Sequence, residues 1–375
     1  MSFKKQAEEI LRYISKKITY QRDILKPQKL EQAETLMGEL KDLSAVGKPT
    51  ETQKGRLAKI ERELESVFPS RPGWDGWVEN VEVIFVAIVL ALALRTYFLQ
   101  PFKIPTDSMK PTLWGIYTQP ETENPPNPLV RVAALAIQGK TWHSVVANEH
   151  ETLRAVGEEK MFGIPFITVT KFVTDKETYR VWATFEQVLK GSPDLVARRG
   201  EGRMTYEPGE VICRFSVATG DHVFVNKLLY HFRKPKAGEV FVFTTHDIDE
   251  INQSSRRAGM DFNQFYIKRC VGIPGDRLQV EPPYLRRNGE IMRANPIFDR
   301  IYSLKDGYRG YSTMAPHMEE KGQTVHLGPD QFWAMGDNSY NSSDSRRWGH
   351  VPRENLVGTG FVVYWPFTKR WGLIP

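Results

Sequence analysis

The chain has 375 residues, 41% of them hydrophobic, and a formal net charge of +6 at pH 7. A chain of this length can bury a large core and is expected to hold two or more structural units. Its charge is modest, and no zinc-finger, RNA-recognition or helix-turn-helix signature occurs, so we expect no nucleic-acid partner.

Residues 1–72 are predicted to be helical, because apolar side chains recur there at helical spacing. Pro27 separates the first run from the second. We expect a solvated helical hairpin without activity. The three runs are Ile10, Ile14 and Ile18; Leu36, Met37, Leu40 and Leu43; and Leu57, Ile60, Leu64 and Val67.

A strongly apolar stretch follows, and its uncharged centre covers residues 83–94. Twelve residues are fewer than the roughly 20 that cross a bilayer, so a buried core helix is the alternative. Extended to residues 77–102, the stretch meets only Glu79, Glu82 and Arg95, all toward its ends, where snorkelling reduces their cost. We therefore predict a transmembrane helix over 77–102.

The flanks of the stretch agree with this prediction. Trp74, Trp77 and Tyr97 suit the aromatic belts of a membrane interface. About 80 residues precede the stretch, so we do not expect a cleaved signal peptide. Lys and Arg exceed Asp and Glu before it, which favours a cytoplasmic N-terminus and places the remaining chain on the outer face of the cell membrane.

After the span the pattern changes to short runs rich in Val, Phe, Tyr and Ile, which predicts a mainly β domain with antiparallel pairing. We assign residues 103–113 and 220–375 to this domain. Residues 114–219 are too many for a structureless loop and are predicted to form an inserted subdomain. The predicted strands are HVFVNKLLY (222–230), EVFVFTT (239–245), FYIKRCVGI (265–273) and GFVVYW (360–365), with FITVT and TYRVWATFEQV inside the insertion.

The segment IPTDSMKPTL (104–113) places a serine directly after the apolar stretch. Pro105 and Pro111 restrict the backbone around Ser108 and prevent a regular helix. Thr106, two residues earlier in an extended segment, lies on the same side and can donate to an oxyanion together with the Ser108 backbone N–H. Serine needs a proton acceptor to act as a nucleophile, and without one this segment is an ordinary Ser/Thr turn.

Lys268 lies within the apolar run FYIKRCVGI. It is either a solvent-facing lysine on a half-exposed strand or a buried one, and burial lowers the pKa of a lysine enough to give a base near neutral pH. Serine with lysine is a known variant of the serine–base pair. None of the histidines lies beside a recognisable nucleophile.

Residues 332–352, FWAMGDNSYNSSDSRRWGHVP, are dense in short polar side chains and predict a turn. Ser342 can hydrogen-bond to a lysine amine. Asp344 and Arg346 can pair with each other and brace the turn. Orienting groups of this kind support a preorganised base.

These segments together resemble the type I signal peptidases, which are membrane-anchored Ser–Lys endopeptidases. The family pattern is an apolar span, I-P-x-x-S-M-x-P-T-L, G-D-x-x-x-V-x-K, Y-I-K-R-x-V-G-x-P-G-D and G-D-N-x-x-x-S-x-D-S-R-x-x-G. The corresponding segments here, in the same order, are IPTDSMKPTL, GDHVFVNK, YIKRCVGIPGD and GDNSYNSSDSRRWG.

The resemblance implies a role for each matching residue. Ser108 would be the nucleophile, Lys268 the general base and Thr106 an oxyanion donor. Ser342 would aim the lysine amine, and Asp344 and Arg346 would brace the site. Ile104, Met109, Leu113 and Tyr266 would line the pockets for small substrate residues.

The implied substrate is an exported preprotein, bound as an extended strand and cut after Ala-x-Ala-like residues of its signal peptide. The implied partners are the lipid bilayer and the protein export machinery, and no cofactor or metal is expected. The sequence departs from the pattern in two places. Ser339 and Tyr340 replace more polar or charged residues in the last motif, and a long insertion follows Leu113.

Two other functions fit parts of the sequence. The same dyad serves self-cleaving regulators of the SOS-repressor type, which would need no membrane span. The chain could instead be an export scaffold, although a scaffold has no need of the Ser–Lys–Ser set. For Cys213 and Cys270 we expect two free buried thiols, with a single disulfide as the alternative.

Overall fold

A computed structural model describes residues 3–23, 25–46, 49–68, 74–160, 168–257, 259 and 263–375. The chain divides into two compact units, Met1–Ala91 and Leu92–Pro375. The boundary falls inside a long helix that runs from the first unit into the second.

The first unit contains three helices before that long helix, and they share one hydrophobic core. Thr50 begins the third of them with a capping box, in which its hydroxyl accepts from the Gln53 N–H and the Gln53 side chain accepts from the Thr50 N–H. The predicted helical character of this region is confirmed, although residues 69–72 lie outside the described part. The helices are α1 (Phe3–Gln21), α2 (Pro27–Ser44) and α3 (Glu51–Val67), and their buried side chains include Ile14, Leu36, Leu40, Leu43, Leu57, Ile60, Leu64 and Val67.

The long helix, α4, covers Trp74–Tyr97 and contains the predicted span. Its segment Asn80–Tyr97 has a mean hydropathy of 1.8 and no residue buried inside the protein, so it is a candidate membrane span rather than a core helix. The helix ends at Tyr97, and Leu99–Lys103 is a strand. The predicted span therefore extended about five residues too far, because Pro101 and the pairing of this strand end the helix.

The second unit contains many short strands and seven further helices among the described residues. The helices are α5 (Pro128–Gln138), α6 (Phe185–Gly191), α7 (Pro193–Gly200), α8 (Leu229–Phe232), α9 (Asp249–Arg257), α10 (Ile297–Ile301) and α11 (Ser345–Trp348). The strands, in chain order, are β1 (Leu99–Lys103), β2 (Tyr117–Pro120), β3 (Lys140–Val146), β4 (Glu151–Lys160), β5 (Thr168–Thr174), β6 (Thr178–Val181), β7 (Thr205–Tyr206), β8 (Val211–Ala218), β9 (His222–Asn226), β10 (Val240–Thr244), β11 (Phe265–Gly272), β12 (Arg277–Glu281), β13 (Tyr284–Arg287), β14 (Glu290–Ile291), β15 (Thr324–His326), β16 (Gln331–Met335), β17 (Val351–Pro352), β18 (Leu356–Trp365) and β19 (Gly372–Leu373).

The main sheet positions the residues of interest. Its strand order is β1-β9-β18-β10-β11-β16-β17, with β19 paired to β18, and neighbouring strands are antiparallel. The predicted β domain is confirmed in class. The serine segment leaves the edge strand β1, Lys268 lies on the inner strand β11, and the polar turn follows β16. A smaller sheet of order β14-β13-β12-β15, which the sequence did not predict, packs over a second core that includes Leu278, Leu285 and Phe298.

Among the described residues of the range 117–218, the strands form two sheets, β2-β8-β3 and β6-β5-β4-β7. They share a core that includes Phe172, Val188 and Phe215. The predicted strand TYRVWATFEQV is a strand only to Val181, and Phe185–Gly191 is helical. The reason is a capping box that Thr184 makes with Gln187, which begins a helix. Of the predicted strand FITVT, residues 166 and 167 lie outside the described residues. Cys213 and Cys270 are both free and buried, as expected.

Candidate active site

Ser108 lies in a single 3-10 turn, Asp107–Met109, that follows strand β1. The segment is fixed to the start of β9 by a backbone hydrogen bond from the Ile104 N–H to the Asp221 carbonyl, at 2.9 Å. A β-carbon built on Gly220 would lie 1.8 Å from the Ile104 carbonyl oxygen, so only glycine permits this close approach. The GD pair of GDHVFVNK therefore holds the serine segment in place.

Asp221 is a fully buried carboxylate that strengthens this attachment. Its Oδ2 accepts from the Trp114 N–H at 2.8 Å and from Arg370 Nε at 2.8 Å. Neither Asp221 nor Arg370 was predicted as a site residue from the sequence. The signal for Asp221 was present in the quoted motif, whereas Arg370 is far away in sequence and follows no recognisable pattern.

Lys268 lies against Ser108 inside the protein. Its Nζ is 2.9 Å from Ser108 Oγ and 3.2 Å from the Ile267 carbonyl oxygen, although Ser108 is 160 positions away in sequence. Both residues are only 6% exposed. Burial lowers the pKa of Lys268 to about 8, and the carboxylates of Asp344 and Asp337 oppose that shift. The neutral amine is therefore more populated near physiological pH than in an ordinary lysine, so this side chain is better able to accept a proton.

Thr106 lies on the same side as Ser108. Its Oγ1 donates to Ser108 Oγ over 3.5 Å, which is a long contact. The Thr106 hydroxyl is therefore close to Ser108 Oγ, and its oxyanion role stays a prediction. A β-carbon on Gly115 would come within 2.3 Å of the Thr106 carbonyl carbon, so Gly115 allows the chain to pass close behind Thr106.

The polar turn after β16 packs directly on the serine segment. The Asn338 N–H donates to the Ser108 carbonyl at 3.0 Å, and Asn338 Nδ2 donates to the Asp107 carbonyl at 3.1 Å. Gly336 lies beside both Ser108 and Ser342, because its β-carbon would fall 2.5 Å from the Ser108 carbonyl oxygen and 2.3 Å from Ser342 Oγ. Ser342 Oγ is buried and forms no hydrogen bond with the described residues. The predicted contact with the Lys268 amine is not formed here, and the orienting role stays a prediction.

Asp344 and Arg346 form the pair that the sequence suggested. Both are fully buried, with Arg346 Nε 2.8 Å from Asp344 Oδ1 and Nη2 2.9 Å from Oδ2. Arg346 also donates to Ser312 and Ser339, and the Gly336 N–H donates to Asp344 Oδ2 at 3.1 Å. The pair thus braces the turn from within. Ser339, which departs from the family pattern, accepts hydrogen bonds from Arg346.

A second buried ion pair, between Arg269 and Asp337, was missed by the sequence analysis. Arg269 Nε lies 2.7 Å from Asp337 Oδ1 and Nη2 lies 2.7 Å from Oδ2. Thr112 accepts from Arg269 at 2.8 Å and donates to Asp337 at 2.5 Å. This network joins β11, the polar turn and the end of the serine segment. The available signal was two consecutive cations, Lys268 and Arg269, in an apolar strand whose side chains alternate between faces.

The structure thus brings together a buried serine, a lysine with a lowered pKa and a second hydroxyl. Two buried ion pairs, Asp344–Arg346 and Arg269–Asp337, hold the surrounding segments in place. A family model described as "Signal peptidase, peptidase S26" matches residues 77–118 and 213–365, which is more than half of the chain. The chain belongs to the signal peptidase S26 family. Ser108 falls in the first matched range, and Lys268 and Ser342 fall in the second. Residues 119–212, most of the insertion, lie between them.

Individual relatives agree with this assignment. Probable signal peptidase I-2 of Synechocystis is 34% identical over 154 residues, covering 41% of this chain and 59% of that protein. Signal peptidase I of Leptolyngbya laminosa is 30% identical over 160 residues, covering 43% and 68% respectively. Signal peptidase I of Aquifex aeolicus is 30% identical over 182 residues, covering 40% and 71%. The chain thus spans roughly six to seven tenths of these relatives.

A crystal structure of a signal peptidase I from Enterococcus faecalis V583 aligns with 34% of this chain and 97% of that chain, at 19% identity and a TM-score of 0.25.

The predicted substrate-contacting residues of this signal peptidase family member differ in accessibility. Met109 and Leu113 have no exposed surface and Ile104 only 2%, and all three belong to a core cluster with Val223 and other valines. Tyr266 is partly exposed and lies beside the lysine, with Lys268 Nζ 5.5 Å from the centre of its ring. The pocket-lining role of these residues stays a prediction, and Tyr266 is the one with surface open to a ligand.

Proposed function

We propose that this chain is a membrane-bound serine endopeptidase that removes N-terminal signal peptides from exported preproteins with a Ser108–Lys268 dyad. The observation that carries the proposal is the 2.9 Å contact between Ser108 Oγ and Lys268 Nζ in a buried setting. Membership of the signal peptidase family supports the substrate class. The dyad, the membrane attachment and the cleavage specificity belong to the proposal.

In the first half of the reaction, the neutral Lys268 amine takes the proton from Ser108 Oγ as that oxygen bonds to the scissile carbonyl carbon. Negative charge develops on the carbonyl oxygen. The Thr106 hydroxyl and the Ser108 backbone N–H donate hydrogen bonds to this oxyanion. The Lys268 ammonium then returns the proton to the leaving amine, the peptide bond breaks, and an ester on Ser108 remains.

In the second half, water attacks the ester while Lys268 accepts a proton from it. The proton returns to Ser108 Oγ as the new carboxyl terminus leaves, which restores the free enzyme. The same amine therefore acts as base and acid twice. Asp344, Arg346, Asp337 and Arg269 contribute by holding the turn and β11 in register rather than by touching substrate.

The proposed setting is the membrane surface. The apolar surface of α4 is unburied over Asn80–Tyr97, and the serine segment begins seven residues after this helix ends. We place residues 1–72 in the cytoplasm and the β domain on the outer face, because cations exceed anions before the span. Cleavage after small, Ala-x-Ala-like residues and contact with the export machinery complete the proposal.

The test is cleavage of a labelled preprotein by the full chain in neutral detergent. Ser108→Ala and Lys268→Ala should each lower kcat by at least about 1,000-fold, because either change removes the dyad. Lys321→Gln is the matched control for a lost lysine, since it lies on the exposed surface, and it should retain full activity. Full activity in Ser108→Ala or Lys268→Ala would refute the dyad. A wild type that cleaves only itself would indicate a self-processing regulator instead.

A further inference from the structure

A cavity of about 360 Å³ lies close to the end of α4, within the second unit. Residues 227–235 supply much of its wall, and Phe265 and Arg353 close it from other elements. The Lys227 N–H donates to the Phe98 carbonyl at 2.9 Å, and Phe98 is the first residue after the helix. Lys227, a residue of the cavity wall, is thus hydrogen-bonded to the residue that directly follows the apolar helix.

The cavity is rich in positive charge. Among its cations, Arg233 is compensated by Glu239, with Arg233 Nη2 2.8 Å from Oε1 and Nη1 2.9 Å from Oε2. The Lys227 side chain makes no ion pair or hydrogen bond with any residue of the described ranges, although it is only partly exposed. A cation in this position is available to an anion from outside the protein.

Two further cations share one carboxylate. Lys234 Nζ lies 3.0 Å from Asp330 Oδ1, and Arg353 Nη1 lies 3.7 Å from the same oxygen. Both are exposed surface pairs, which contribute little and yield readily to another anion. The four cations Lys227, Arg233, Lys234 and Arg353 therefore face two carboxylates, and the cavity keeps a positive excess.

Large apolar side chains project next to these cations. Phe232 is 80% exposed, Phe265 is 48% exposed and Leu228 is 39% exposed. Phenylalanine and leucine side chains beside lysine and arginine are typical of a surface that lies at a lipid headgroup layer, with apolar groups directed into the acyl region and cations toward phosphates.

We propose that this cavity binds the phosphate of an anionic phospholipid headgroup at the membrane surface where α4 emerges. The proposal rests on α4 being the membrane span of the proposed function. Lysine and arginine that lie beside apolar side chains at a membrane interface are attracted to the phosphates of anionic lipids. The bound headgroup would hold this edge of the β domain at the bilayer.

The experiment uses the full chain in neutral detergent, with phosphatidylglycerol or phosphatidylcholine added to the micelles. Lipids retained per protein are counted by native mass spectrometry. The wild type should retain phosphatidylglycerol in preference to phosphatidylcholine. Lys227→Gln should lower the affinity for phosphatidylglycerol about fivefold, whereas Lys227→Arg and the distant control Lys321→Gln should retain wild-type affinity.

Equal retention of the two lipids, an unchanged affinity in Lys227→Gln, or an equal loss in Lys227→Arg would each overturn the proposal. Complete displacement of the lipid by inorganic phosphate at matched concentration would show a free-phosphate site and also overturn it. Preprotein cleavage without added lipid is measured on the same samples. A protein that cleaves but shows no lipid preference refutes only the lipid site, whereas one that binds lipid but does not cleave refutes only the peptidase.

Discussion

Arg269 and Asp337 form a bidentate ion pair in which neither side chain has any exposed surface. Arg269 is adjacent to Lys268 in sequence but points to the opposite face of β11. The Arg269 charge is therefore matched by a carboxylate, whereas Lys268 forms no ion pair with a carboxylate in the described part of the chain and burial lowers its pKa. Two consecutive residues of β11 thus differ in role: Arg269 is paired in a structural ion pair, and Lys268 carries the amine of the proposed dyad.

Asp337→Asn should destabilise the protein strongly, because it leaves the Arg269 guanidinium buried without a counter-charge. Removing one partner of a buried pair typically costs about 3–5 kcal/mol. The measurement is the free energy of unfolding of the full chain in detergent. Glu281→Gln is the control, since its pair with Arg286 is about one-third exposed and should cost about 1 kcal/mol or less. Equal losses in both variants would contradict a special role for the buried pair.

Gly336→Ala should have a greater effect on the rate of preprotein cleavage than on the free energy of unfolding. The new β-carbon would lie 2.3 Å from Ser342 Oγ and 2.5 Å from the Ser108 carbonyl oxygen, so the serine segment must shift. A displacement of about 1 Å at a reacting centre can cost roughly 100-fold in rate. Gly157→Ala is the control, because nothing lies within 4 Å of its β-carbon position. Preprotein cleavage with wild-type rate in Gly336→Ala would disprove this geometry.

Thr106→Ala should lower kcat by about 100- to 1,000-fold with little change in KM, because the hydroxyl acts on charge that appears only in the transition state. Thr106→Ser keeps the donor and should remain within a few-fold of the wild type. Steady-state kinetics on one preprotein distinguish the two variants. Equal activity of Thr106→Ala and Thr106→Ser would exclude the oxyanion role.

The fold class and the closeness of Ser108 and Lys268 were predictable, because the strand runs and the motif residues are local signals. Lys268 and Ser108 were found through the order of their motifs and not through their contact, since 160 intervening positions conceal it. The segment 222–230 was predicted as one strand, but β9 ends at Asn226 and a helical turn follows. Asn226 Oδ1 accepts from the Leu229 N–H at 3.2 Å, a local bond that starts the turn.

Long-range support was not predictable in the same way. Arg370 donates to Asp221, which is 149 positions away in sequence, and Arg346 donates to Ser312 and Ser339 in separate turns. Such bonds depend on the assembled main sheet and leave no periodicity in the sequence. Met109 and Leu113 are fully buried, which their motif did not indicate, and their pocket-lining role stays a prediction.

The pH dependence of kcat/KM for preprotein cleavage tests most directly whether neutral Lys268 activates Ser108. Burial lowers the pKa of Lys268 to about 8, and only the neutral amine can accept the serine proton. Below that value the neutral fraction falls about tenfold per pH unit, so kcat/KM should rise with pH at unit slope and level off above about pH 8. A profile that stays flat from about pH 6 to 9, or falls as pH rises through 8, would contradict the account.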